Sequence, residues 1–340
     1  MKVYAGMDPR LPLSEVAMAA QRIEALGYDG LHIAETVHDS LAVALLALEH
    51  TTTLTVRTAV TLTFVRSPML TALSAWDLSA FSGGRFQLGL GSQIRQNIEE
   101  RFSMPWPNPV AAMAEHVAAI RACWTSFASG APLDVRGEYV TLTRLQDYFR
   151  PEASDVVAPP IWLGGVNAKM TELAGAVAEG FVTHPTNSSP RFLAERCLPA
   201  LHRGLASAGR TRSDLELVAG TQVITGATPE AMLHEKERQR RLFAFLYSTP
   251  AYAPTLELYG WDDLGSRLRT MVQRNDFSNL ATTVTDDVLD TIIPVCSIDA
   301  LPDILLERYG SLCDGILLSV PTDPTIDAHL RSAITRLHEG

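Results

Sequence analysis

The sequence predicts a (β/α)8 barrel spanning residues 1–340, with helical insertions concentrated between the seventh and eighth strands. Two observations carry this. Short apolar runs alternate with helix-like runs joined by short connections, the pattern of a parallel sheet covered by helices, and eight such strand-like runs can be counted. No linker, repeat or break in composition divides the chain, and barrels of this class often exceed about 250 residues undivided.

Each element has its own signal. Residues 1–7 read as the first strand, and Ser14 caps a helix that runs to Leu26 and stops at Gly27. Residues 28–34 form the second strand, followed by the apolar segment 41–48, and residues 54–62 form the third. Pro68 opens a helix that runs through Phe81, and the stretch 82–93 holds the fourth strand. A proline-rich stretch, 105–109, leads to a helix over 110–127 and a hairpin near Arg136–Tyr139. Residues 159–165 and 180–184 are the fifth and sixth strands, flanking a helix over 168–179. Apolar runs at 215–225 and 314–320 complete the set. Between those two, residues 229–308 are mostly helical and exceed what one barrel helix needs, so a lid or an added packing unit is expected there.

Composition narrows the function. With 46% hydrophobic residues the chain can bury a large core, yet no run approaches the roughly 18 apolar residues of a membrane span. A formal charge of −10 disfavours nucleic acid and acidic membrane surfaces. The one tight basic cluster, 236–241, reads as a solvated helix face. Cys123, Cys197, Cys296 and Cys313 are too scattered for a disulfide frame or a zinc site and read as free core thiols, and no metal is expected. The N-terminal residues lack the apolar core of a signal peptide, which makes the cytoplasm the expected compartment.

Candidate site residues lie where the predicted strands end, because barrel chemistry sits at that face. Gly89 and Gly91 share one side of the fourth strand, leaving it bare just where it stops. A dinucleotide fingerprint would need a third glycine at Ile94, so a two-domain Rossmann enzyme is rejected. His234-Glu235 lacks the second histidine of a zinc protease, and no GxSxG elbow is present. Gly164, Gly165, Val166 and Asn167 close the fifth strand ahead of a helix, a pattern suited to an anion such as phosphate, with Asn167 able to adopt a left-handed conformation. Glu35, His38 and Asp39 follow the second strand and His184 ends the sixth. His38 and His184 are thus candidate acid–base groups converging on one mouth.

Several segments together resemble the luciferase-like monooxygenase superfamily, in its branch that uses the deazaflavin coenzyme F420. They are Gly27-Tyr28-Asp29-Gly30 with Glu35, Thr58-Ala59-Val60-Thr61 through Arg66-Ser67-Pro68, and Gly84-Arg85-Phe86 through Gly91-Ser92-Gln93. Pro160-Ile161-Trp162 and Ser248-Thr249-Pro250-Ala251-Tyr252 with Gly260-Trp261 extend the match nearly end to end. The resemblance implies an often homodimeric enzyme acting on a small molecule. F420 would lie across the barrel mouth, against a non-prolyl cis peptide at Ala59-Val60 and Thr61, with Gly91, Ser92 and Gln93 along the ring edge and its phosphate on Gly165, Val166 and Asn167. It implies hydride transfer to or from an unsaturated C=C, C=N or C=O group, with Met7, Asp8, Trp106 and Tyr252 on the substrate side; His38 or His184 as proton donor, and Glu35 orienting the ring or polar substrate groups, follow from their place at the mouth and not from the resemblance. An FMN-dependent monooxygenase and a non-catalytic cofactor-binding protein are the alternatives. The branch that oxidises sugar phosphates has an Asp-His pair and a glutamate where this chain has Glu35-Thr36 and Ile94, and its lysine is missing from Thr186-Asn187-Ser188, so a phosphosugar substrate is not expected.

Overall fold

A computed structural model describes residues 1–151 and 156–340. Eight parallel strands close into a barrel in chain order: β1 (Lys2–Gly6), β2 (Gly30–Ile33), β3 (Thr55–Thr58), β4 (Phe86–Gly91), β5 (Ile161–Gly165), β6 (Gly180–Thr183), β7 (Glu216–Ala219) and β8 (Gly315–Ser319). β8 pairs with β1, and β3 pairs with β4 through Val56↔Phe86 and Arg57↔Gln87, so no edge is left open. The predicted third strand is shorter than 54–62 and is interrupted. The Ala59–Val60 peptide is cis, and Thr61–Leu62 then resumes pairing with the end of β4.

Alternation along the strands sorts side chains into two sets. Val3, Leu31, Val56, Leu88, Leu163, Phe181, Leu217 and Ile316 point outward and are buried beneath the helices. Tyr4, Trp162, Val182 and Val218 cluster separately in the lumen, with Ala59, Val60 and Leu317 against them. The lumen is tight. A Cβ on Gly180 would lie 2.3 Å from the Trp162 indole, and one on Gly30 or Gly315 would lie 3.0 Å from the Tyr4 ring.

The flanking helices α1 (Val16–Leu26), α2 (Ser40–Glu49), α3 (Pro68–Ser82), α4 (Pro109–Ser129) and α5 (Ala168–Val177) follow their predicted spans closely, and α6 (Leu198–Ser207), which is not among the predicted helices, covers the connection after β6. Ser14 does not cap α1. It lies in a 3-10 turn, Leu13–Glu15, and the first residue of α1 is Val16. Asp39 caps α2 instead, accepting from the amides of Leu41 and Ala42. A 3-10 turn and two short strands, Val135–Arg136 and Thr141–Leu142, occupy the long connection after α4, the strands forming the predicted hairpin.

Between β7 and β8 lie α7 (Pro229–Tyr247), α8 (Ala253–Tyr259), α9 (Asp262–Gln273), α10 (Asp286–Ile292) and α11 (Leu301–Tyr309); α12 (Asp327–Glu339) ends the chain. Phe243, Tyr247, Leu256, Leu268, Leu289 and their neighbours in this segment form a hydrophobic cluster of their own. The basic cluster on α7 is not simply solvated. Arg240 is buried and reaches the Val284 carbonyl and Asp286, while Lys236 bridges Asp286 and Asp290.

All four cysteines are free and buried, with burial pushing the Cys123 thiol up to about 11 and those of Cys197 and Cys313 up to about 12.

Helices α5 and α6 touch backbone to backbone. A Cβ on Gly204 would lie 1.8 Å from the Glu172 carbonyl oxygen, and one on Gly175 would lie 2.3 Å from that of Leu201. Backbone cannot yield as a side chain does, so Gly204→Ala is expected to destabilise the fold by about 1–3 kcal/mol, read as a lower urea midpoint at unchanged slope.

Candidate functional site

The C-terminal strand ends form the mouth. At β3 the bulge turns the Val60 side chain over the end of the sheet. A Cβ on Gly91 would meet Val60 Cγ2 at 2.3 Å, and one on Gly164 would meet Cγ1 at 2.7 Å. The bare face of β4 therefore accommodates protein: Gly91 makes room for Val60, and Gly89 for the Thr58 carbonyl, 1.8 Å from where its Cβ would be. This corrects the expectation that those glycines clear space for a ligand directly.

Glu35 braces the bulge. Its carboxylate accepts from the Leu62 amide at 2.7 Å and from both Arg66 Nη atoms, Nη1 at 2.9 Å and Nη2 at 2.5 Å, and Arg66 Nη2 also reaches Asp39 at 2.6 Å. With side-chain exposures of 9% for Glu35 and 14% for Arg66, this is a buried ion pair, and it turns Glu35 toward the Thr61–Leu62 segment. Thr61 is fixed from the other side by the Ser40 hydroxyl at 2.9 Å.

The two histidines sit four strands apart, on opposite sides of the eight-stranded ring, and do not meet. His38 lines a narrow crevice with Met7, Asp8, Leu11 and Ile33. His184 stacks on Tyr252, with ring centroids 4.5 Å apart and planes at 10°. The Thr186 hydroxyl and amide lie 2.8 and 3.4 Å from its Nδ1, which assigns the ring proton to Nε2. Burial pushes His184 down to about 4, so near neutrality it is uncharged and cannot act as an imidazolium acid. Trp106 packs edge-on against Phe64, centroids 5.8 Å apart.

After β5, Asn167 is extended (φ −112°), not left-handed. Its side chain caps α5 through the Met170 amide at 2.9 Å. The amides of Val166, Asn167, Ala168 and Lys169 have no hydrogen-bond acceptor among the described residues, leaving a row of free donors at the mouth. Asn187 ties this loop to the one after β6 by donating to the Val166 carbonyl at 2.7 Å. That second loop is in turn held by the insertion, where Thr255 donates to the Thr186 carbonyl at 2.7 Å and Tyr259 to Ser189 at 3.0 Å. Gln93 adopts φ 61° where the chain leaves β4, and its side chain accepts from the Ile94 amide at 3.0 Å; the Ser92 hydroxyl donates to the Gln93 carbonyl at 3.2 Å.

Sequence reasoning missed the polar layer in the lumen. Arg57 lies fully buried with its guanidinium carbon 3.1 Å from the centroid of Trp162 and 4.6 Å from that of Tyr4. It donates through Nε to Gln87 at 2.7 Å and through Nη1 to His32 Nε2 at 2.8 Å, while Tyr4 donates to Glu216. Arginine can only donate, so His32 carries its proton on Nδ1, and neither that group nor Arg57 Nη2 has a partner. Burial, with Arg57 adding to it, holds His32 well below its usual range, and burial lowers Arg57 to about 10, leaving it charged. The signal was available: polar residues at alternate positions of otherwise apolar strands.

A family model described as luciferase-like monooxygenase matches residues 3–315. The chain belongs to that family. A Mycobacterium tuberculosis protein, Rv1360, described as uncharacterized, is 38% identical over 92% of each chain. A 5,10-methylenetetrahydromethanopterin reductase from Archaeoglobus fulgidus is 24% identical over 92% of this chain and 90% of that one. The solved structure of a coenzyme F420-dependent tetrahydromethanopterin reductase from Methanopyrus kandleri superposes with a TM-score of 0.81 at 18% identity, covering 99% of this chain and 98% of that one. Among the described residues, no helix is long and apolar enough to cross a membrane, and no group of His, Cys, Asp and Glu could hold a metal ion.

Two consequences can be measured. Glu35→Ala strands the Leu62 amide and removes one of the two partners of Arg66, and should cost about 3 kcal/mol in urea unfolding. His184, with its folded value of about 4 below the ordinary 6.5, contributes stability that is complete above pH 6.5 and lost as pH falls toward 4. Its share of that loss is about 3 kcal/mol, and His184→Gln should flatten the stability profile across that window by this amount.

Proposed function

We propose that the chain is an F420-dependent oxidoreductase that moves a hydride between the deazaflavin and an unsaturated C=C, C=N or C=O group of a small organic substrate. The observation that carries this reading is the free row of amides at Val166–Lys169, on the mouth of a barrel whose relatives include reductases of matching length, one of them named for F420. Such donors suit a phosphate at the mouth. The residues present therefore fit the group.

When bound, the deazaflavin supplies the carbon that gives or takes the hydride. Val60, fixed by Gly91 and Gly164 and braced from Glu35, forms a rigid floor for a flat ring. His184 and Tyr252 add a planar wall that is neutral near pH 7 and excludes water. His38, half-buried in the crevice with Met7 and Asp8, is the group that moves a proton to or from the substrate. Lying on opposite sides of the mouth, the two histidines divide the work, with proton transfer on one side and shape on the other.

Fluorescence titration of the purified protein with F420 and, separately, FMN tests the reading, and F420 is expected to bind more tightly. His38→Ala should lower turnover at least 100-fold with F420 affinity little changed. Tight FMN binding without F420 binding would overturn the proposal in favour of a flavin monooxygenase.

A further inference from the structure

The polar layer in the lumen has no part in holding phosphate or moving a proton, and its charges are laid out in order along the barrel axis. At the N-terminal rim, exposed Lys2 pairs with Glu216 at 2.8 Å. Tyr4 stands between that pair and Arg57, donating its hydroxyl to Glu216. Arg57 and His32 come next toward the mouth. Ala59, the next inward position on the same strand, is already part of the bulge and lies about 7 Å farther along at the rise of a strand. The immediate partners of Arg57 are two aromatic rings, an amide and an imidazole; among the described residues no carboxylate is hydrogen-bonded to it. Its countercharge lies behind it, on the side away from the mouth, and is shared with Lys2. A fully buried cation arranged in this way is unfavourable by itself, and its field is directed at whatever occupies the mouth.

We infer that Arg57 is a positioning residue that makes the mouth electropositive, so that the protein holds the reduced form of a flavin-type ring more tightly than the oxidised form. The chemistry is one of charge. A hydride brings two electrons and one proton to the ring, so one negative charge enters with it and remains until a second proton binds. Arg57 stabilises that charge without touching the reacting atoms. His32, whose free Nδ1–H also lies in this layer, fixes the guanidinium through Nη1 and adds a donor of the same sense. Trp162 holds the guanidinium flat, and Gly180 leaves the space in which the indole can lie.

The inference rests on the proposed cofactor class, and one experiment separates the two. Dissociation constants for oxidised and reduced cofactor, F420 or FMN, whichever binds, are measured anaerobically for the wild type and for Arg57→Met, Arg57→Lys and Glu216→Gln, with circular dichroism confirming the fold. The wild type should favour the reduced form. Arg57→Met should lower the ratio of the two constants on the order of tenfold, the effect of one charge about 10 Å away at an effective dielectric constant of about 20. Arg57→Lys should restore most of it, and Glu216→Gln, which removes the countercharge at the rim, should raise it above the wild type. A purely structural role would weaken both redox forms together and leave the ratio unchanged. An unchanged ratio in folded Arg57→Met overturns the inference; if that variant does not fold, an unchanged or lowered ratio in Glu216→Gln does so. Failure of the wild type to bind either cofactor overturns the cofactor reading, and this inference with it.

Discussion

Volume inside the barrel is the constraint on which the rest of the molecule depends. Eight parallel strands close on a lumen that side chains must fill, and here two large aromatics, Tyr4 and Trp162, occupy it only because Gly30, Gly180 and Gly315 present no Cβ to them. That arrangement creates a flat aromatic seat for the Arg57 guanidinium, which in turn fixes the tautomer of His32. One steric exchange thus determines where the charge lies and which atoms are left without partners.

The same logic recurs one layer up. Gly91 and Gly164 lack side chains because Val60 needs their space, and Val60 stands where it does on a segment held by Glu35, Arg66 and Ser40. The mouth is built from the inside outward: lumen, bulge, then the loops after β5 and β6. Those loops are linked by Asn187, and the insertion is fastened to the second of them through the Thr186 carbonyl.

Much of this was legible in the sequence. Apolar runs separated by helix signals defined the strands, and Pro68, Gly27 and the Pro105–Pro109 stretch marked boundaries to within a few residues, because these signals act locally. Ser14 failed as a cap for an equally local reason: a 3-10 turn took its place. What sequence could not show were relations across the barrel. Glu35 read as a group that orients ligand because its partner Arg66 lies beyond the whole of the next strand, and His184 read as a proton donor because nothing nearby in sequence announces that Tyr252 and its own loop bury it. Gly91 was ambiguous in the same way, since a glycine records that something lies close but not whether it is ligand or protein.

The buried thiols give the molecule a set of internal clocks. Cys123 lies in α4 on the flank of the barrel, Cys197 just before α6, Cys313 at the approach to β8, and Cys296 where the insertion rejoins the chain. Each is shielded in the folded state and held in the unreactive thiol form, so a reagent can reach it only during an opening of its surroundings. Labelling rates at the four positions would therefore time the local breathing of barrel and insertion separately, in the unmodified chain and without an added probe.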